Sequence, residues 1–214
     1  MEQIDRSESV LVRRLVEQGV RDARVLAAFA RVPREAFVPA GLQAEAEADR
    51  PLDIGFGQTI SQPFIVAAMT EALQLSGSER VLEVGTGSGY QTAIFCEMLA
   101  SGAQLRSMEI VPELLARAEV TLARLGYRGV ALRLGDGAQG WPEEAPFDAI
   151  AVAAAPLEVP PALLRQLAPG GRLIIPVGLT PDRQELQLWR RSAAGALGHT
   201  TLMQVRFVPL IERH

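Results

Sequence analysis

The sequence predicts an α/β fold: an open, seven-stranded, mostly parallel sheet with helices on both faces and an N-terminal helical cover. Three observations predict it. Short apolar runs alternate with helix-length amphipathic segments from Val81 to Val177, the pattern of βαβ units with right-handed crossovers. One run, Phe147 to Ala153, is nearly all apolar, as a strand covered on both faces must be. The first run ends in Gly85-Thr86-Gly87-Ser88-Gly89, glycine at every second position, directly before a helix. Glycine lets a backbone come close to a ligand, and the new helix turns its free N–H groups and positive dipole end toward that ligand.

In chain order, Leu11, Val12, Leu15 and Val16 make the inner face of a first helix that Gly19 stops. Asp22 caps a second helix with Val25, Leu26, Phe29 and Ala30 inward, and Pro33 breaks it. Arg34 to Phe37 reads as a further turn, and Gln43 to Asp49 as a solvated helix or loop. Arg50 to Pro63 is irregular, with two prolines, two glycines and dense small polar side chains, so it reads as a loop able to reach over a crevice. Ser61 precedes a helix with Pro63 in its first turn and Ile65, Val66, Met69, Leu73 and Leu75 inward. On sequence physics alone, Ser61 is its N-cap.

Strands are expected at Val81 to Val84, Gln104 to Met108, Val130 to Leu134, Phe147 to Ala153, Leu173 to Val177, Glu185 to Arg190 and Thr201 to Val208. Helices fall between the earlier ones: Ala93 to Leu99, Pro112 to a stop at Gly126, and Pro160 to Leu167 before a Gly170-Gly171 turn. The last two strands, joined by a turn near Gly195 and Gly198, form a hairpin with one antiparallel strand. The whole reads as one domain, 1–214, with 1–62 as cover and active-site loop and 63–214 as core.

The glycine spacing selects the ligand. A dinucleotide site wants Gly-x-Gly-x-x-Gly, and the third glycine would then fall at Tyr90. Gly-x-Gly-x-Gly with Glu83 two residues upstream resembles motif I of the class I S-adenosyl-L-methionine (AdoMet) methyltransferases. Glu109, ending the next strand, can accept from both ribose hydroxyls. Asp136, between Gly135 and Gly137, suits an adenine amine or is an ordinary turn acid.

Composition narrows the function further. In 214 residues with a net charge of −4, no basic surface of the kind nucleic acid demands is implied. The one cysteine, Cys96, excludes an internal disulfide and sits among apolar residues as a buried thiol. His199 and His214 are far apart, so no metal site is expected. No apolar run reaches membrane-spanning length, and the expectation is a cytoplasmic monomer.

A longer series then carries a closer resemblance. Gln58-Thr59-Ile60-Ser61-Gln62-Pro63, Val81 to Gln91, Gly135-Asp136-Gly137, Ala153-Ala154-Ala155-Pro156, Leu167 to Arg172 and Val205-Arg206-Phe207-Val208-Pro209-Leu210 follow in this order. The series resembles the protein-L-isoaspartate (D-aspartate) O-methyltransferases from about Val32 onward. The resemblance implies methyl transfer from AdoMet to the α-carboxyl of L-isoaspartyl, and also D-aspartyl, residues in damaged proteins. S-adenosyl-L-homocysteine is the implied product, and repair through a succinimide the implied outcome. It implies Ser61 as the active-site serine and Gln58, Thr59, Ile60 and Ser61 as a closing loop. Cofactor contacts are implied at Glu83, Gly85, Gly87, Gly89, Glu109, Ile110, Asp136 and Gly137. Val205, Arg206, Val208 and Pro209 are implied along the damaged peptide.

Two departures stand out: Ile211 where the family often has threonine, and Glu47-Ala48 where an aromatic and an acid are common. The chemistry suits the residue inventory. A substrate carboxylate is already ionised at neutral pH, so no general base is needed, and orientation carries the catalysis. The rival readings are a carboxyl methyltransferase for another peptide, an NAD-dependent oxidoreductase and a non-catalytic AdoMet-binding protein.

Overall fold

A computed structural model describes residues 9–178, 180 and 183–211. Two short helices, α1 (Val10–Glu17) and α2 (Ala23–Arg31), open the chain. Ser9 caps α1 by accepting from the Val12 N–H, and Asp22 caps α2 by accepting from the Arg24 N–H. Leu11, Val12 and Leu15 are buried, but Val16 is 42% exposed, so the inner stripe of α1 is narrower than the sequence predicts. Pro33 ends α2, and 3-10 turns follow at Arg34–Phe37 and Ala40–Glu45.

The stretch expected to be an irregular loop is a β-hairpin. β1 (Leu52–Gly55) pairs antiparallel with β2 (Gln58–Ile60), Leu52 opposite Ile60 and Asp53 opposite Thr59. Its turn is Phe56-Gly57, both with positive φ (58° and 69°), the conformation that matches the twist of a tight hairpin. Buried Leu52, Ile54 and Ile60 give it an apolar inner face. These alternating residues were hidden among prolines and glycines.

The main sheet holds β3 (Val81–Val84), β4 (Leu105–Glu109), β5 (Ala131–Leu134), β6 (Phe147–Val152), β7 (Leu167–Val177), β8 (Gln184–Arg191) and β9 (Leu197–Val205). Their spatial order is β5-β4-β3-β6-β7-β8-β9. The first five are mutually parallel, while β8 runs antiparallel to both β7 and β9. The chain order reverses between β3 and β6, and a ligand crevice forms at such a switch point beyond the strand C-termini.

Helices α3 (Pro63–Leu73), α4 (Tyr90–Met98), α5 (Pro112–Arg124) and α6 (Pro161–Gln166) cover the sheet. α4 is buried almost all round, because Tyr90 meets the cover edge-on at Phe29 and Phe37. One apolar cluster therefore runs from Leu11 and Phe29 through Ile94 to Phe207.

Two boundaries differ from expectation. Instead of a turn followed by a strand, Leu167 already pairs with Phe147, while Arg172 pairs with Ala149. The intervening Ala168 to Gly171 bulge out of the β7 ladder. β9 begins at Leu197 and ends at Val205, because the preceding turn is the tight Ser192 to Gly195 one and Gly198 already pairs with Arg190. Arg206 to Pro209 then leave the edge and cross to Ala155, whose N–H donates to the Val208 carbonyl at 2.8 Å and whose carbonyl accepts from the Leu210 N–H at 2.9 Å.

Candidate functional site

The crevice lies where β3, β4 and β6 end, roofed by the hairpin. Gln58, Thr59, Ile60 and Ser61 from the hairpin line it, with Gly85, Gly87, Glu109, Ile110 and Gly137 from the sheet side. Positive φ at Gly85 (96°) and Gly87 (55°) lets the loop turn, and a side chain on Gly85 would press against Ala153. Glu109 is nearly buried. Its Oε2 accepts from the Gly87 N–H at 2.7 Å, and its Oε1 from the Ile110 and Val111 N–H groups at 2.8 and 2.9 Å. The acid thus fixes the glycine loop and, of its roughly four acceptor sites, keeps one on Oε2 for a hydroxyl donor.

Three of the expected cofactor residues stand elsewhere. Glu83 is wholly buried beneath the loop, bonded to Thr92 and Ser107. Burial pushes its carboxyl up to about 7, against those two hydroxyl donors. Gly89 faces Ala118 and Leu122 of α5 and permits close packing of the two helices. Asp136 caps a short 3-10 turn by accepting from the Ala138 N–H at 2.9 Å, and its neighbours Gly135 and Gly137 do the lining. The reasons differ: Glu83 answers buried hydroxyls, Gly89 answers the packing of α5, and Asp136 answers its own turn's backbone.

A second cavity of about 480 Å³ opens beside the first. Pro51, Gln62, Ile65, Gln204, Val205, Arg206 and Phe207 contribute to it. Thr59, Ser61, Ala153 and Val208 line both cavities, so the two meet at Ser61. Pro209 lines the first cavity only. The Phe207 N–H and carbonyl are both engaged by the Gln184 side chain, at 2.6 and 3.1 Å. The segment therefore offers groove walls more than a free strand edge.

Ser61 is not a helix cap. The N-cap of α3 is Gln62, without a side-chain cap bond, and the Ser61 hydroxyl has no protein partner among the described residues. Its carbonyl is held by Arg34, a residue with no motif to mark it. Asp49 ties the same region together. Burial would raise its carboxyl, yet donors from Gln18, Gln62 and the Phe64 N–H hold it below its ordinary value. The carbonyls of Glu47 and Ala48 accept from Arg14 and Arg34, so that departure acts mainly through backbone. Ile211 does line the crevice and presents a methyl surface there.

The wall composition fits an AdoMet-sized ligand: an acid for ribose, apolar Val84, Met108 and Leu210 for adenine, and glycines for close approach. Tyr90 Oη and Gln91 Nε2, from crevice-lining residues, are buried without a partner among the described residues. The Cys96 thiol lies outside the crevice, and burial pushes it up to about 12. Among the described residues no three His, Cys, Asp or Glu side chains gather as metal ligands, and no helix is long and apolar enough to cross a membrane. His214 lies outside the described residues.

The family model described as protein-L-isoaspartate(D-aspartate) O-methyltransferase matches residues 6–214. A protein-L-isoaspartate O-methyltransferase 1 of Anaeromyxobacter sp. (strain Fw109-5) is 57% identical over 94% of this chain and 93% of its own length. One from Myxococcus xanthus (strain DK1622) is 54% identical over 92% of each chain. A solved protein-L-isoaspartate O-methyltransferase superposes with a TM-score of 0.83 at 32% identity, covering 93% of this chain and 64% of that longer one. A Plasmodium falciparum structure of a putative enzyme of this kind, in complex with S-adenosyl-L-homocysteine, gives 0.83 at 26% identity over 99% of this chain and 100% of its own.

Proposed function

The chain belongs to the protein-L-isoaspartate(D-aspartate) O-methyltransferase family, and we infer that the two cavities meeting at Ser61 perform that family's reaction. The enzyme transfers the methyl group of AdoMet to the α-carboxyl of L-isoaspartyl residues in damaged peptides and proteins, the first step of their repair through a succinimide. When bound, AdoMet supplies an electrophilic methyl on a sulfonium. Every other requirement falls to the chain: hold the ribose and adenine, hold the carboxylate in line, and keep water out.

Glu109, with Gly85, Gly87, Ile110 and Gly137, holds the cofactor. Gln58 to Ser61 roof it, and the hairpin's apolar inner face seals the roof. The groove beside Val205, Arg206 and Val208 takes the peptide, and the Ser61 hydroxyl, free of other duties, orients the carboxylate at the junction. A single neutral donor suits this task. Stronger donors would stabilise the ground-state anion more than the charge-diffuse transition state. No base is required, since the substrate carboxylate is already ionised at neutral pH. The net charge of −4 supports a protein substrate over nucleic acid.

The observation that carries this reading is the shared wall of Thr59, Ser61, Ala153 and Val208. The test is a methyl-transfer assay on an isoaspartyl peptide and its aspartyl twin, with a D-aspartyl peptide alongside. Strong preference for the isoaspartyl form is expected, since its carboxylate sits one methylene closer to the backbone and in-line transfer is intolerant of displacement. Equal rates on the first two peptides would point to a general carboxyl methyltransferase.

A further inference from the structure

Glu83 stands under the glycine loop instead of in the crevice, yet it is wired to the crevice wall. Its Oε2 accepts from Thr92 Oγ1 at 2.5 Å and from Ser107 Oγ at 2.6 Å. Ser107 Oγ in turn lies 2.7 Å from Thr86 Oγ1, and either hydroxyl can be the donor. Thr86 lines the crevice. Glu83 Oε1 is buried and has no partner among the described residues.

Such a chain of hydroxyls has two polarities. With Glu83 ionised, Oε2 only accepts, so Ser107 donates to it and Thr86 donates to Ser107. Thr86 then shows lone pairs to the crevice. With Glu83 protonated on Oε2, the acid donates to Ser107, Ser107 donates to Thr86, and the Thr86 proton is left for the crevice. The surroundings leave both forms within reach. Burial disfavours the carboxylate, the two hydroxyls favour it, and Glu109 across the loop disfavours it. Of the other groups facing it, Cys96 on α4 is held as a neutral thiol by burial, and β6 presents Ala151 at this register.

We propose that Glu83, Ser107 and Thr86 form a proton-linked relay, in which AdoMet binding drives a proton from Glu83 to the buffer and turns Thr86 into an acceptor toward the cofactor. The proposal rests on the crevice being the AdoMet site. AdoMet carries a net positive charge, and a cation against this poorly solvated wall favours the carboxylate. Its ammonium group donates hydrogen bonds, so it matches Thr86 as acceptor and conflicts with Thr86 as donor. Glu83 is thus a positioning residue, acting on the cofactor through Ser107 and Thr86.

The test is calorimetry of AdoMet and S-adenosyl-L-homocysteine binding in buffers of unlike ionisation enthalpy, at about pH 6, 7 and 8. Near pH 6 the wild type should release a large fraction of one proton per AdoMet, falling toward zero by pH 8. S-adenosyl-L-homocysteine, lacking the sulfonium charge, should release less. AdoMet affinity should rise with pH over the same range, by at most about tenfold per unit for one proton. Glu83→Gln keeps an acceptor for Thr92 and Ser107 and cannot titrate, so near pH 6, where the ligand's ammonium is fully protonated, its binding heats should be the same in every buffer. Infrared difference spectra of the wild type should lose a protonated-carboxyl band on AdoMet binding, a readout that needs no variant. AdoMet binding heats that match across buffers in the wild type, with binding intact, would overturn the relay. Absence of AdoMet binding altogether would overturn the crevice reading, and the relay with it.

Discussion

Arg34 Nη2 donates to the carbonyl of Ser61 at 3.0 Å, across 27 residues of sequence. The same guanidinium donates to the carbonyls of Ala46, Ala48 and Arg50 and lies over the Tyr90 ring. Arg34 is only 2% exposed. A buried cation here gathers the cover, the hairpin entry and the junction serine onto the first residue of α4. Only a planar fork reaches acceptors in this many directions.

Arg34→Lys keeps the charge but cannot keep all of these bonds. The expected result is a fall in kcat on isoaspartyl peptide of between about tenfold and 100-fold, as for a misplaced orienting group. AdoMet affinity should change much less, because Glu109 and the glycine loop hold it independently. Steady-state kinetics with separate cofactor titration check this. Equal losses in kcat and in AdoMet affinity would show that Arg34 supports the whole crevice and not Ser61.

Gly137→Ala and Gly87→Ala should separate sharply. A Cβ on Gly137 would stand 2.2 Å from Val84 Cγ1, inside the central strand. On Gly87 the nearest side-chain atom, Ile54 Cδ1, is 3.6 Å away, although φ of 55° is itself unfavourable for alanine. Overpacking of a buried strand costs about 1–3 kcal/mol, and Gly137 also lines the crevice. Thermal melts should rank Gly137→Ala well below Gly87→Ala, and AdoMet affinity should follow. A Gly137→Ala protein as stable as wild type would mean that Val84 moves aside.

What the sequence shows and what it hides follow from the range of the interactions. Val81 to Val84, the glycine loop and Glu109 are legible because strand, turn and acid sit within one βαβ unit, where period and spacing carry the physics. The hairpin at Leu52 to Ile60 is not, since its alternation lasts only a few residues among prolines and glycines. Glu83 is legible as an acid beside a glycine motif, but its burial depends on Ser107 and Thr92, which tertiary packing brings beneath it. Arg34 carries no local signal at all: its acceptors are backbone carbonyls, and any sequence supplies those. Ser61 could be read as a cap because Pro63 follows it, and one residue of boundary decides that Gln62 takes the position.

Glu83 should leave a mark on stability against pH. Its carboxyl is raised from 4.5 to about 7 in the folded protein. Below pH 4.5 folded and unfolded states both hold the proton. As pH rises, the unfolded chain loses its proton first and gains in stability, so the folded state's advantage is lost as pH climbs through about 7. The total is on the order of 3 kcal/mol. Denaturant unfolding of wild type and Glu83→Gln between pH 4.5 and 8 isolates this group from the other acids. The difference between the two proteins should shift in favour of the variant as pH rises, and a constant difference would mean that Glu83 stays ionised throughout.

Ser61→Ala tests the junction itself. Were Ser61 a helix cap, the substitution would cost about 0.5–2 kcal/mol of stability. The cap is Gln62, and the Ser61 hydroxyl bonds to nothing among the described residues, so the cost should stay within about 0.5 kcal/mol. The Arg34 bond should survive, because it uses the Ser61 carbonyl. What alanine removes is one of the two hydroxyls, with that of Thr59, that line both cavities. Loss of an interaction made in the transition state lowers kcat and kcat/KM together. The expected fall in kcat is at least about tenfold, roughly 1.4 kcal/mol of barrier, at saturating isoaspartyl peptide and well below the melting temperature. Ser61→Thr keeps the hydroxyl but crowds the hairpin exit, and should fall between wild type and alanine. An alanine variant that melts normally and turns over normally would move the orienting role to Thr59, the other hydroxyl shared by crevice and groove.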